Sequence, residues 1–293
     1  MLTVKLFTWM VALQTTFCGC RTDRRQGDFD SSTRCFTHQR VGRLEAPIRE
    51  SSGLVVLNDT LLLTHGDSGG PSTLYVTNLT GEIRDRIELP IRNYDWEEVA
   101  QDARGRVYVG DIGNNFNNRE QLTIYAVDLE ARAVVDTIAF SYPDQKAFPP
   151  PVGEWNFDCE GFFAHGDSLY LFSKNRGKGP MKLYRLPQRG GTHVAELIDT
   201  HPLVGQVTAA DLNPSATRFV LLSYGRVYLF GVTARRIDLS EPLACLRFPN
   251  GGQSEAIAFL NDTDFVISNE RGTLYRWCWE PGQPAAADCP PER

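Results

Sequence analysis

Two pairs of carboxylates, each with its members two residues apart, are the groups in this chain best suited to chemistry. Asp95 precedes Glu97 in the run Asp-Trp-Glu-Glu. Asp158 precedes Glu160 in the run Asp-Cys-Glu-Gly. Side chains two residues apart on a strand lie on the same face. Each pair therefore directs two oxygen ligands the same way, which suits a hard cation such as Ca²⁺ or a general base.

The two pairs begin two copies of a unit that recurs five times. Each copy has a polar opening, an apolar strand and then a strand with a tyrosine. The openings lie at 50–54, 95–99, 158–162, 208–212 and 253–257. Aligned on Ser52, Glu97, Glu160, Ala210 and Glu255, they are 45, 63, 50 and 45 residues apart. Four short strands with their turns need about 40 to 50 residues, so the sequence predicts an all-β propeller of five blades.

The longest interval contains the Pro-rich segment 141–151. A propeller of six blades is the alternative if that segment contains two further strands. Fourth strands are predicted at 83–89, 134–140, 194–198 and 243–248, whereas the fifth unit has none. The segment 40–44 can supply it. We therefore expect an N-terminal strand to complete the last blade, which closes the ring and removes exposed strand edges.

If the openings form the innermost strands, their acids converge on a central channel. The metal candidates are Asp95, Glu97, Asp158, Glu160 and Glu255. Two carboxylates about 6 Å apart repel by about 3 kcal/mol at an effective dielectric constant of about 20. Bound Ca²⁺ would relieve this repulsion, since oxygen ligands favour Ca²⁺ or Mg²⁺ over zinc. Alternatively, each acid accepts hydrogen bonds from amides within its own blade.

Polar residues also follow the second strand of several units. Because loops carry function more often than the scaffold does, these residues predict a ligand-binding rim around one end of the channel. The rim candidates are His65, Asp67, Asp111, Asn114, Lys174, Asn269 and Glu270.

The run Gly66 to Pro71 spells Gly-Asp-Ser-Gly-Gly-Pro, the nucleophile motif of chymotrypsin-like proteases. Those proteases place the histidine base and its carboxylate upstream of the serine. Here only 65 residues precede the motif, and His38 is the one histidine among them apart from the adjacent His65. The run also occupies the loop position of 109–113 in the next unit, so we interpret it as turn chemistry.

The charge balance excludes one class of partner. The net charge is −6, and no basic run is longer than two residues. A nucleic-acid surface needs clustered cations that neutralise phosphates, so we expect no nucleic-acid partner.

The N-terminus predicts export. Lys5 is followed by an apolar stretch that ends at Gly19-Cys20. This pattern is typical of a lipoprotein-type signal peptide over residues 1–20, with Cys20 as the lipidation site. Plain secretion and an uncleaved anchor remain alternatives. We expect a flexible tether at 21–36, the propeller at 37–280 and a tail at 281–293, with the protein lipid-anchored in a bacterial cell envelope.

The other cysteines leave the pairing open. Cys35, Cys278 and Cys289 lie near the two chain ends, which a closed propeller brings together. A bridge from Cys35 to one of the other two is therefore expected. For Cys159 and Cys245, buried thiols and disulfide partners are equally compatible with the sequence.

Several of these runs resemble a family of exported bacterial β-propellers. The matching motifs are Asp-Trp-Glu at 95–97, Gly-Asp-Ile-Gly at 110–113 and Asp-Cys-Glu-Gly at 158–161, within a resemblance that spans about residues 48–235. Gly66 and Glu98 depart from the family pattern, which commonly has Asn and Asp there. More distantly, the chain resembles phytase-like and gluconolactonase-like propellers, and that resemblance implies channel carboxylates that bind calcium.

Two functional hypotheses follow. The first is an envelope-anchored binding module whose channel mouth and rim loops bind a small molecule, a saccharide or an envelope protein. The second is a Ca²⁺-dependent hydrolase of a phosphoester or lactone, in which the metal polarises the substrate and a channel carboxylate acts as base.

Overall fold

The computed structural model describes residues 19–30, 36–48, 50–249 and 251–279. In these residues the protein is a β-propeller of five blades. The described helical elements are the short α1 (Arg21–Gln26) and a 3₁₀ turn at Val152–Glu154. Among the described helices, none has the length and apolar character needed to cross a bilayer.

In chain order the strands are β1 (Phe36–Arg43), β2 (Ser51–Asn58), β3 (Leu61–Gly66), β4 (Thr73–Asn78), β5 (Ile83–Glu88), β6 (Trp96–Gln101), β7 (Val107–Asp111), β8 (Leu122–Asp128), β9 (Ala133–Ser141), β10 (Cys159–His165), β11 (Ser168–Ser173), β12 (Met181–Pro187), β13 (Gly191–Val194), β14 (Glu196–His201), β15 (Val207–Leu212), β16 (Arg218–Ser223), β17 (Arg226–Gly231), β18 (Pro242–Arg247), β19 (Ser254–Phe259), β20 (Phe265–Asn269) and β21 (Thr273–Trp279).

The blades follow the repeat that the sequence predicts. From the inside outward they are β2 to β5 (blade 1), β6 to β9 (blade 2), β10, β11, β12 and β14 (blade 3), β15 to β18 (blade 4), and β19, β20, β21 and β1 (blade 5). The innermost strands contact one another in a closed ring. Strand β1 pairs antiparallel with β21, from Phe36 opposite Trp279 to Arg43 opposite Thr273. The prediction that an N-terminal strand completes the last blade is confirmed.

Burial of apolar side chains between adjacent blades stabilises the ring. Each of the five hydrophobic clusters of the described residues joins two neighbouring blades. Blades 3 and 4 meet through aromatic rings, with Phe163 of blade 3 packed on Phe219 of blade 4 at 5.6 Å between ring centroids. Fully burying one such side chain contributes about 1.5–3 kcal/mol. The second strands are buried at consecutive positions, and successive side chains point to opposite faces, so each blade offers packing surface on both faces.

Each innermost strand carries a β-bulge near its first residues. In blade 2, Trp96 pairs with Asp111 but Glu98 pairs with Gly110, which leaves Glu97 unpaired. The unpaired residues of the five bulges are Gly53, Glu97, Glu160, Thr208 and Glu255. A bulge re-aims the side chain of the extra residue. We call the end of the channel at these bulges the mouth.

The bulges correct the alignment of the repeat. In blades 1 and 4 the bulge residues are Gly53 and Thr208. The sequence alignment had placed Ser52 and Ala210 at these equivalent positions. The physical reason is that a bulge changes the pairing by one residue without changing the apolar pattern that the alignment used.

Two further details differ from the sequence prediction. Between β9 and β10 the chain has the 3₁₀ turn and no strand, so the six-bladed alternative is wrong. The predicted fourth strand at 194–198 is divided in two. Strand β13 pairs parallel with β9 of blade 2, and only β14 belongs to blade 3. This exchange links the outer edges of the two blades.

The predicted tether at 21–36 is wrong for its first part. Helix α1 packs on blade 4, where Asp23 is fully buried and forms an ion pair with Arg226 at 3.1 Å. The Tyr228 hydroxyl donates to Asp23 Oδ1 at 3.0 Å. The ring of Phe29 packs on Phe230. A polar composition is typical of a tether, but one buried ion pair and one aromatic ring are enough to fix this segment in place.

Four cysteines lie within the described residues. Cys20 forms a disulfide with Cys245, whereas Cys159 is a buried thiol and Cys278 a partly buried one. Cys35 and Cys289, the other cysteines of the predicted end-to-end bridge, lie outside the described residues. A sulfur atom in a disulfide cannot also carry a lipid thioether. Lipidation at Cys20 therefore competes with this disulfide for one atom, and it stays a prediction.

We expect the disulfide form to be present in the mature protein. Cys245→Ser should lower the free energy of unfolding by about 2–4 kcal/mol, because the bridge restrains the unfolded chain. Non-reducing intact-mass analysis, with and without alkylation, measures the state of Cys20. An acylated Cys20 in the wild type, with unchanged stability in the serine variant, would contradict the disulfide and support the anchor.

Candidate functional site

A polar cavity of about 250 Å³ lies at the mouth. All five blades contribute to it, because the bulges and the loops that follow the second strands meet there. The lining residues are Ser52, Asp67, Glu97, Asn115, Glu160, Lys174, Arg176, Tyr224, Gln253, Glu255 and Glu270. Five acids and two basic residues are among them.

The bulge residues Glu160 and Glu255 belong to one hydrogen-bonded network. Lys174 Nζ forms an ion pair with Glu160 and donates to the Tyr224 hydroxyl at 3.2 Å. The Tyr224 hydroxyl donates to Glu255 Oε1 at 2.7 Å. Burial lowers the pKa of Lys174, but the carboxylates of Glu160 and Glu255 raise it more, so the lysine stays charged. The network therefore links blades 3, 4 and 5 across the mouth.

Arg176 neutralises the acids of blade 3. Its Nε donates to Asp158 Oδ2 at 2.6 Å, and its Nη2 donates to Glu160 Oε1 at 3.2 Å. Asp158 is fully buried, and its other oxygen accepts from the Asn114 amide at 2.7 Å. Asp158 therefore lies in the wall of the mouth, with both carboxylate oxygens already bonded.

The acids of blades 1 and 2 have a different environment. One oxygen each of Asp67, Asp95 and Glu97 lies within 4.8 Å of the others. Burial, together with the charges of Asp67 and Asp158, raises the pKa of Asp95 to about 6. Burial and the charges of neighbouring acids also raise the pKa of Glu97 well above its ordinary value. Ionising all three groups is costly without a compensating positive charge.

A glycine makes this approach possible. A Cβ atom at Gly113 would lie 2.3 Å from Asp95 Oδ2 and 2.3 Å from Glu97 Oε1. The Gly113 amide donates to the Asp95 carbonyl at 3.1 Å. The Gly-Asp-Ile-Gly run therefore brings backbone against the two carboxylates, which no larger residue would permit.

The seven residues of the predicted rim fall into two groups. Asp67, Lys174 and Glu270 line the cavity. The other four are buried in the surrounding walls: His65, Asp111, Asn114 and Asn269. They hold loops in place, since Asp111 pairs with Arg119 at 2.9 Å and Asn269 donates to the Gly251 carbonyl at 3.1 Å.

The five acids predicted as metal ligands lie in different parts of the mouth. Asp95 and Glu97 come together with Asp67, which the sequence placed on the rim. Asp158 and Glu160 pair with Arg176 and Lys174, and Glu255 accepts from Tyr224. The structure therefore does not bring these five acids together as one set of ligands.

The Pro-rich insertion supports the loops of the mouth. Gln145 donates to the Asn117 carbonyl at 2.8 Å, and Asn117 Oδ1 accepts from the Phe157 amide at 2.8 Å. On its other side, the Trp155 carbonyl accepts from the Arg176 amide at 2.9 Å. The insertion thus fixes the loop with Asn115 and the loop with Arg176 to one another.

Sequence reasoning missed Arg176 and Gln253. Arg176 lies two residues after Lys174, a spacing that could have indicated it. Gln253 donates to Glu270 in the next loop, and nothing in its own run signals that contact. Ser52 was one of the aligned residues of the repeat but was not assigned to a site.

No family model and no curated relative matches the sequence. Among solved structures, a streptogramin B lyase is 10% identical over 84% of this chain and 98% of its own, with a TM-score of 0.46. A gluconolactonase from Xanthomonas campestris is 10% identical over 87% and 97%, with a TM-score of 0.45. A virginiamycin B lyase from Staphylococcus aureus is 13% identical over 81% and 69%, with a TM-score of 0.41. These similarities concern the β-propeller fold alone.

The pH dependence of stability tests the electrostatics of the mouth. Burial and the charges of Glu255, Glu50 and Asp67 raise the pKa of Glu270 from 4.5 to about 8. The native state therefore retains a proton that the unfolded chain loses, and stability should fall as pH rises from about 4.5 to about 8. Glu270→Gln should make this fall smaller. Urea unfolding in EDTA at about pH 5 and about pH 8.5 measures it.

The exposed Glu196, which pairs with Arg185 on the outer strand of blade 3, provides the control. Glu196→Gln should leave the fall unchanged. If Glu270→Gln and Glu196→Gln behave alike, the proposed environment of Glu270 is wrong.

Proposed function

We propose that the protein is a binding module whose mouth takes a small polar ligand of the saccharide class. The observation that carries this proposal is the cavity of about 250 Å³, lined by polar side chains from all five blades. Convergent carboxylate, amide and hydroxyl groups in a concave site are what a polyhydroxylated ligand requires, because each hydroxyl both donates and accepts.

The fixed geometry of the lining supports this proposal. Glu160, Lys174, Tyr224 and Glu255 hold one another in place before any ligand arrives. A ligand therefore meets a preorganised set of partners and loses less free energy to the ordering of side chains. Charged partners also give hydrogen bonds about twice as strong as neutral ones.

Exposed aromatic rings at the rim of blade 2 supply the apolar contact. Phe116, which is 69% exposed, directly follows Asn115 of the lining. Tyr94, which is 59% exposed, directly precedes Asp95. Large exposed aromatics beside a concave polar site are typical of recognition surfaces, since a ring offers a broad apolar face at low entropic cost.

We also propose that the protein acts outside the cytoplasm. The apolar N-terminal stretch and the Cys20–Cys245 disulfide both support export, because disulfides persist in oxidising compartments. Attachment to the cell envelope belongs to this proposal, through the apolar stretch itself in the disulfide form or through lipid at Cys20 in a form without that disulfide. An envelope protein remains a second class of partner for the same mouth.

A hydrolase of phosphoesters or lactones is the second candidate. It is favoured by the raised pKa of Asp95, about 6, beside two further acids. A general base works best when its pKa lies near the working pH, and a divalent cation bound by the neighbouring acids would polarise the substrate.

Titration calorimetry with glucose, galactose, N-acetylglucosamine and their disaccharides tests the binding proposal. We expect at least one to bind, and Tyr224→Phe to weaken it about tenfold, because one charge-assisted hydrogen bond contributes about 1.5–3 kcal/mol. Glu196→Gln, on the outer strand of blade 3, is the control and should bind normally.

Two results would contradict the binding proposal. One is a wild type that binds none of these sugars. The other is calcium-dependent cleavage of p-nitrophenyl phosphate or δ-gluconolactone that Asp95→Asn abolishes, which would favour the hydrolase.

A further inference from the structure

The acids of the mouth are compensated on one side only. On the side of blades 3 to 5, each bulge glutamate has a partner: Lys174 and Arg176 for Glu160, and Tyr224 for Glu255. On the side of blades 1 and 2, three acids come together: Asp67, Asp95 and Glu97. The Ser68 amide donates to Asp67, and the other two have no cation in contact among the described residues.

Glu97 separates this cluster from an ordinary acidic patch. Its side chain is only 5% exposed, yet within the described part of the chain it forms no hydrogen bond or ion pair. It nevertheless lines the cavity. A buried carboxylate without a partner either takes up a proton or needs a counter-charge. Because Glu97 lines the cavity, a cation that enters from there can supply that charge.

We propose that Asp67, Asp95 and Glu97 bind a divalent cation of the calcium type at the blade 1–blade 2 side of the mouth. This inference refines the proposed ligand site and rests on the same cavity. It replaces the ring of five acids suggested by the sequence with a set of three, one of which comes from the loop after β3.

The geometry fits the size of Ca²⁺. Calcium binds oxygen at about 2.3–2.6 Å, so two ligands of one ion lie at most about 5 Å apart. One oxygen from each acid lies within 4.8 Å of the others, which meets this limit. Three carboxylates leave further coordination positions open, and these face the cavity, where water or ligand hydroxyls can occupy them.

A cation also explains why three acids can be charged together. At a separation of about 4.8 Å and an effective dielectric constant of about 20, each pair of carboxylates repels by about 3 kcal/mol. A divalent ion between them converts this repulsion into attraction. The network of Lys174 does not serve this purpose, since its ammonium group is already engaged with Glu160 and Tyr224.

Calorimetric titration of the EDTA-treated, full-length protein with CaCl₂ tests the site. We expect one Ca²⁺ per chain and a rise in melting temperature. Glu97→Gln and Asp67→Asn should each weaken binding about tenfold or more, because each removes a charged ligand. Both substitutions relieve repulsion, so the variants should fold and be at least as stable as the wild type in EDTA.

Two further variants make the test specific. Glu196→Gln removes a charge from the outer strand of blade 3, outside the cavity lining, and it should bind Ca²⁺ as the wild type does. Gly113→Ala changes no charge but should weaken binding, because its Cβ would displace Asp95 and Glu97. Terbium luminescence sensitised by tryptophan, reversed by Ca²⁺, gives an independent readout.

A wild type that binds no Ca²⁺, with a melting temperature unmoved by Ca²⁺ or EDTA, would overturn the proposal. Equal losses of Ca²⁺ affinity in Glu255→Gln and Glu97→Gln would also overturn it, because they would show that the cation lies between these two acids and not in the cluster. Titration with the sugars in EDTA and in CaCl₂ separates the two proposals. Calcium binding without sugar binding refutes only the saccharide, and sugar binding without calcium binding refutes only the cation site.

Discussion

The crowding of carboxylates at the mouth is the constraint on which the rest of the site depends. A bulge at the same point of the innermost strands turns Glu97, Glu160 and Glu255 into one small cavity. Burial disfavours the charged form of each of these acids, so a donor or a cation is needed to keep it ionised. The loops after the second strands supply that compensation. Lys174 and Arg176 follow β11, and the insertion after β9 fixes the backbone of Arg176.

Deeper in the channel, acids serve the scaffold instead. Glu98, next to the bulge residue, is fully buried and accepts from the Val99 amide at 3.0 Å and the Ala210 amide at 3.2 Å. It thereby connects blade 2 to blade 4 across the axis. Asp211 likewise accepts from the Phe259 amide of blade 5 at 2.7 Å. Backbone amides stabilise the carboxylates of Glu98 and Asp211 by donating hydrogen bonds. Some of these amides belong to other blades and not to the blade of the acid itself.

The scaffold and the mouth are therefore linked by adjacent residues. Glu97 faces the cavity and Glu98 the centre of the ring, since the bulge places consecutive side chains in different environments. Hydroxyl contacts close the ring beside them, as between Ser51 and Ser268 at 2.9 Å. A substitution at Glu98 should therefore affect folding, whereas one at Glu97 should affect the site.

The sequence predicted what depends on repetition. Blade number and closure by β1 follow from the spacing of the repeat and from the missing fourth strand of the last unit, and the structure confirms them. Pairing of polar groups from different loops could not be predicted, because the partners are far apart in the chain. Asp67 belongs to blade 1, and it lies close to Asp95 and Glu97 because blades 1 and 2 are neighbours in the ring.

The docking of α1 was missed for a similar reason. Asp23 and Arg226 are about 200 residues apart in sequence, and nothing local in a polar segment indicates that it is buried.

Anomalous scattering from crystals grown with Sr²⁺, a substitute for Ca²⁺, tests the central claim that compensation is missing on one side of the mouth. The account predicts one strong peak, within about 3 Å of oxygens of Asp67, Asp95 and Glu97. A peak between Glu160 and Glu255 would contradict it. So would a map without a peak in which Glu97 accepts a hydrogen bond from Lys174.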